Sequence, residues 1–112
     1  MKYFITEAKR KELHSTCFFE FQKGSRRDRC WCEDSICLHA DVFDGSKLFA
    51  LFQTALPHFD YYGRTAVYPE NWETLLSLSH DCGGETEAVI LELVSWVENC
   101  FQVEKVFTIC GI

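Results

Sequence analysis

Cys30-x-Cys32-x4-Cys37-x-His39 is the densest array of reactive side chains in the chain. Thiolate and imidazole are the ligands tetrahedral zinc prefers, so a metal loop is the first chemistry to weigh. The spacing argues against it. Paired zinc cysteines are separated by about two to four residues, so that a turn aims both sulfurs at one ion. A one-residue gap on extended chain instead places Cys30 and Cys32 on one sheet face, about two strand rises of ~3.3 Å apart. Cys37 and His39 repeat that arrangement, which alternating burial produces equally well. The reading therefore assigns no metal and no cofactor. It keeps Cys30, Cys32, Cys37 and His39 as the alternative: a small cytosolic metal- or thiol-dependent regulatory protein.

Other groups capable of chemistry are dispersed. His14, His39, His58 and His80 could serve as bases, but no stretch has the pattern of a nucleophile elbow, a phosphate loop or a zinc-protease helix. Gly83-Gly84 precedes a helical pattern and could cradle phosphate, yet Asp81, Glu85 and Glu87 would repel it. Glu70 and Glu73 form an i,i+3 carboxylate pair of the kind usually solvated on a helix. The expectation is a protein that is not an enzyme.

Charge carries the stronger signal. From Thr65 to Glu104 there are eight carboxylates and no lysine or arginine, with Tyr68, Trp72 and Trp96 interleaved. Residues 1–30 hold eight basic and four acidic side chains, whereas residues 31–112 hold three basic and thirteen acidic; the net charge is −6. A one-signed field acts on association rate and partner choice, and favours a basic partner. The basic stretch Arg26-Arg27-Asp28-Arg29 is one short loop, too little positive surface to bind nucleic acid directly.

With 112 residues, 47% hydrophobic and 15% aromatic, the chain is expected to fold as one globular domain, 1–112. No apolar run has the length of a signal segment or membrane span, so a cytoplasmic location is expected. Reduced thiols follow from that compartment, and at least four of the seven cysteines, Cys17 beside Phe18 among them, read as small core hydrophobes.

The elements that must position these groups follow from periodicity. Tyr3–Ile5 suits a strand, and Thr6 suits a cap for a short helix over Glu7–Leu13. His14–Gln22 alternates as a strand, Lys23–Arg29 turns, and Cys30–Phe43 returns as a second strand, giving an N-terminal β-hairpin. A helix opens at Asp44 or Ser46, buries Leu48, Leu51, Phe52, Ala55 and Leu56, and stops at Pro57. His58–Arg64 reads as loop. Pro69 starts a helix over Glu70–His80 that buries Trp72, Leu75 and Leu76. Thr86–Phe101 forms the most regular helix, and Lys105–Ile112 closes as an interior strand. The fold class is α+β: a small, mainly antiparallel sheet covered by about three helices.

Against this frame Asp60, Tyr61, Tyr62, Tyr68, Glu70, Trp72 and Glu73 form the candidate partner-binding set, because protein-binding hot spots are rich in tyrosine and tryptophan. Leu56-Pro57, Tyr61-Tyr62-Gly63, and Asn71 followed by a helix with Leu75 resemble the barstar-like ribonuclease inhibitors. The helix Glu85–Phe101 running into Val106-Phe107-Thr108-Ile109 is similar to their final helix and strand. Here Arg64–Pro69 intervenes before the helix, and residues 14–43 have no counterpart. More broadly, the chain resembles the immunity proteins of bacterial polymorphic toxins, including contact-dependent growth inhibition systems. That resemblance implies an antitoxin that binds one cognate basic toxin domain, an RNase or DNase, and covers its active site, with no direct nucleic-acid or membrane contact.

Overall fold

The computed structural model describes residues 1–25 and 29–112. The expected turn residues Arg26, Arg27 and Asp28 lie outside the described residues. Strand β1 (Phe4–Thr6) runs straight into helix α1 (Glu7–Glu12), whose cap is Thr6: its Oγ1 accepts from Lys9 N at 3.2 Å. Strands β2 (Phe18–Lys23) and β3 (Ile36–His39) pair antiparallel, in register Glu20 to Cys37.

Then come helices α2 (Ala40–Asp44) and α3 (Leu48–Ala55), strand β4 (Arg64–Val67), helices α4 (Pro69–Cys82) and α5 (Gly84–Val103), and strand β5 (Phe107–Cys110). All pairings are antiparallel, and the strand order is β1-β3-β2-β5-β4. This is the α+β sheet-and-helix class the periodicity predicts, with β5 interior and β4 at an edge.

Three expectations about elements need correction. The strand expected over residues 30–43 is extended only at Ile36–His39, because His39 Nδ1 accepts from Asp41 N at 2.9 Å and starts α2. That helix buries Phe43, where alternation would have buried Val42. The first hairpin strand begins at Phe18, leaving Cys17 exposed rather than in the core. Part of what reads as loop, Arg64–Val67, is β4: Thr65 and Val67 point inward, and the strand pairs with β5.

The sheet has two unlike faces. Phe4, Phe19, Phe21, Leu38, Phe107 and Ile109 face the helices and join the stripe Leu48, Leu51, Phe52 of α3 with Val89, Ile90, Leu93 and Val97 of α5 in one core. Each such side chain contributes about 1.5–3 kcal/mol by leaving water. The opposite face carries Glu20, Gln22, Cys37, Thr108 and Cys110, all buried. There α1 and the 29–35 segment form the cover. Arg10 makes a two-pronged ion pair with Glu7 at 2.6 and 2.8 Å and stacks on Trp31 at 3.9 Å.

Among the described residues no helix is long and apolar enough to cross a membrane.

Candidate functional site

The loop between α3 and β4 presents the paired tyrosines, and the chain fixes it from several sides. Asp60 N donates to Thr65 Oγ1 and Tyr62 N to Asp60 Oδ1, each at 3.0 Å. The two residues that follow β5 reach back: Gly111 N donates to Gly63 O at 2.6 Å and Ile112 N to Tyr61 O at 2.9 Å. Only glycine fits at 111, since a Cβ there would sit 2.1 Å from the Tyr61 carbonyl oxygen. Tyr61 is half-buried, edge-on to Phe19 and Phe49, and its hydroxyl donates to Asp44 at 3.0 Å. Burial, and then that carboxylate, raise its pKa above the ordinary tyrosine value.

The outcome is a small acidic-aromatic patch. Tyr62 stands 78% exposed beside Tyr61, and Phe49 is also exposed. Asp60 is exposed next to them. Asp41, one helical turn before Asp44, is close enough to act on the Tyr61 hydroxyl.

The remaining predicted binding residues lie elsewhere. Tyr68 is exposed but sits beyond the far end of β4, six residues from Tyr62, where it caps α4; Glu70 and Glu73 are exposed on that helix's first turns. Trp72 does not belong to a surface: it is 6% exposed and packs edge-on against Phe107, because position 72 shares a helical stripe with Leu75. Two of the acidic residues after Thr65 are internally engaged. Glu92 accepts from the backbone N–H groups of Lys2, Tyr3 and Phe4, and Glu87 meets His80 Nδ1.

The four residues of the alternative site do not converge among the described residues. Cys37 is fully buried with Sγ toward Glu7, and Cys32 is buried with Sγ on Arg29 O. His39 has Nδ1 committed to the start of α2 and its ring against Phe18. Cys30 is exposed, 3.5 Å from the Arg64 guanidinium, which that contact holds above its ordinary pKa. Burial and neighbouring carboxylates push the Cys37 and Cys110 thiols up to about 12, so both are neutral.

Sequence reasoning missed Glu20. It is 0% exposed in the central strand, and all its acceptor positions are used. Oε1 accepts from Trp31 N at 2.7 Å and Gln22 Nε2 at 3.0 Å; Oε2 accepts from Cys32 N and Ser35 Oγ, both at 2.7 Å. Two successive backbone N–H groups converge on one carboxylate because Trp31 adopts φ 65, the turn that forms an anion-binding nest. Glu20 thus clips the 29–35 segment to the sheet beside the tyrosine loop. The available signal was a glutamate set between two phenylalanines in a strand.

The chain matches no family model, no curated protein and no solved structure.

Proposed function

We propose that this chain is a binding protein rather than a catalyst: a cytoplasmic immunity protein that neutralises a cognate nuclease toxin by covering its positively charged site. One observation carries the reading. Tyr62 is displayed on a loop held by backbone hydrogen bonds to Gly111 and Ile112 and by the Tyr61–Asp44 contact, with carboxylates around it. A preorganised loop loses little ordering entropy on binding, so its exposed ring can act as an anchor. Asp41, Asp44 and Asp60 substitute for the phosphates that a nuclease cleft is built to hold. Charge complementarity then raises the encounter rate by about 10- to 10³-fold.

The set of contacts differs from the one expected of the sequence. Asp60, Tyr61 and Tyr62 remain, Asp41, Asp44 and Phe49 join them, and Trp72 leaves. Glu70, Glu73 and Tyr68 form the rim. The test is to read the genes flanking this one and to co-produce the chain in bacteria with the basic carboxy-terminal domain of any exported protein found there; a locus with no such neighbour counts against the reading. Growth restored by the wild-type chain and lost with Tyr62→Ala combined with Asp41→Lys supports the reading. Failure of the wild-type chain to protect overturns it.

A further inference from the structure

The polar face of the sheet holds a second constellation, independent of the tyrosine patch. Cross-strand register places Cys37, Glu20, Cys110 and Arg64 side by side on β3, β2, β5 and β4. Above this row the covering segment brings in Cys30. The sulfurs of Cys30 and Cys110 and a carboxylate oxygen of Glu20 all lie within 4.8 Å of one another. The two cysteines line a cleft of about 400 Å³ together with Tyr62, Gly63, Arg64 and Gly111, while Glu20 is fully buried beside them.

We propose that Glu20, Cys30 and Cys110 form a binding site for a zinc-class divalent cation, with three protein ligands and a fourth position facing the cleft. The donor set decides the class of ion. Two sulfurs with one oxygen suit borderline-soft zinc, cobalt or cadmium, and not magnesium or calcium, which take oxygen ligands. The separations fit. An ion centred among three atoms at most 4.8 Å apart lies no more than about 2.8 Å from each. Contraction of about 0.5 Å then reaches the zinc–sulfur distance of about 2.3 Å. Cys30 is on the covering segment rather than the sheet, so it can make that movement.

Charge also balances. Binding expels the thiol protons of Cys30 and Cys110 to solvent. The resulting two thiolates and a carboxylate bring three negative charges; a divalent ion cancels two, and the Arg64 guanidinium, 3.5 Å from Cys30 Sγ, offsets the third. Glu20 can take part although its acceptor positions are filled. The Gln22 amide faces three acceptors, Glu20 Oε1, Arg29 O and Cys32 Sγ, with two hydrogens. Its NH2 group can leave the carboxylate and keep both hydrogens bonded, to Arg29 O and Cys32 Sγ. The ligands come from β2, β5 and the covering segment, Glu20 ten residues before the Cys-x-Cys pattern and Cys110 far beyond it, which explains why their spacing shows no metal motif.

The experiment is a cobalt titration of the full chain, reduced and freed of metal by chelation. One equivalent should give a near-ultraviolet thiolate charge-transfer band and visible bands of tetrahedral cobalt, both abolished by zinc. Cys30→Ser and Cys110→Ser should each weaken zinc by about tenfold or more, while Cys17→Ser leaves it unchanged. Zinc should also raise the melting temperature of the wild type but not of Cys30→Ser, whose exposed position leaves folding intact. Absence of the thiolate band, cobalt binding that persists in both serine variants, or a Cys30–Cys110 disulfide that survives the reductant would each overturn the proposal.

Discussion

The Tyr61 hydroxyl donates to both carboxylate oxygens of Asp44, at 3.0 and 3.1 Å, across seventeen residues of sequence. It links α2 to the loop ahead of β4 and fixes the base on which Tyr62 stands. Tyr61→Phe keeps the ring packing and removes this link. A stability loss of about 0.5–1 kcal/mol in urea denaturation is expected, small because the pair is partly exposed. The contribution also has a pH signature. The folded-state pKa of Tyr61 is raised, so its stabilisation is complete below the unfolded value of about 10 and disappears as pH rises through the folded value. The stability difference between wild type and Tyr61→Phe should therefore shrink above about pH 10; a gap that widens there contradicts the assignment.

Gly111→Ala tests the other support of the loop. The new methyl would meet a backbone carbonyl, not a side chain that can swing away, so the Tyr61–Gly63 segment must shift. A stability loss of about 1–3 kcal/mol is expected. Hydrogen exchange should report loss of protection at Ile112 N–H. Unchanged protection would mean the loop is not held from this side.

Glu20→Ala removes the acceptor shared by four donors, two of them backbone N–H groups of the covering segment. Buried donors left without partners cost about 1–3 kcal/mol each, so the variant should lose at least about 3 kcal/mol in urea denaturation. A loss below about 1 kcal/mol would show that the 29–35 segment does not depend on this carboxylate.

Much of this architecture is visible in the amino-acid order. The Leu48, Leu51, Phe52, Ala55 stripe, the apolar face of residues 86–101, Pro69 at a helix start and Thr6 as a cap are local signals, and local physics decided them. The rest was set at a distance. Residues 36–43 satisfy a two-residue period, yet the His39 cap turns the second half into helix. Strand β4 is four residues long and exists because β5 offers it a partner. A glutamate on a strand's off-face reads as solvated; Glu20 is buried because a segment ten residues later folds over it. Of the binding set, Tyr61 and Tyr62 were legible as loop aromatics, whereas Asp44 read as a helix cap and its bond to Tyr61 leaves no local trace.

Thiol reactivity should follow burial. Cys17 and Cys30 are exposed and Cys82 half-buried; Cys32, Cys37, Cys100 and Cys110 are buried. Titration of the reduced, metal-free chain with an aromatic disulfide should consume two thiols quickly, a third more slowly, and four only after denaturation. Prompt reaction of more than three in the native protein would contradict the covered sheet face.

In the proposed function the acidic tyrosine loop is the surface that meets a basic partner. Calorimetric titration against a basic nuclease domain that the chain protects against, repeated at rising salt, tests this most directly. Tyr62→Ala combined with Asp41→Lys should weaken binding by about 100-fold, or about 2.7 kcal/mol, and flatten its salt dependence, while Glu70→Lys with Glu73→Lys changes affinity by about threefold or less. The opposite ranking, with the tyrosine-loop variant binding like wild type, would contradict the account.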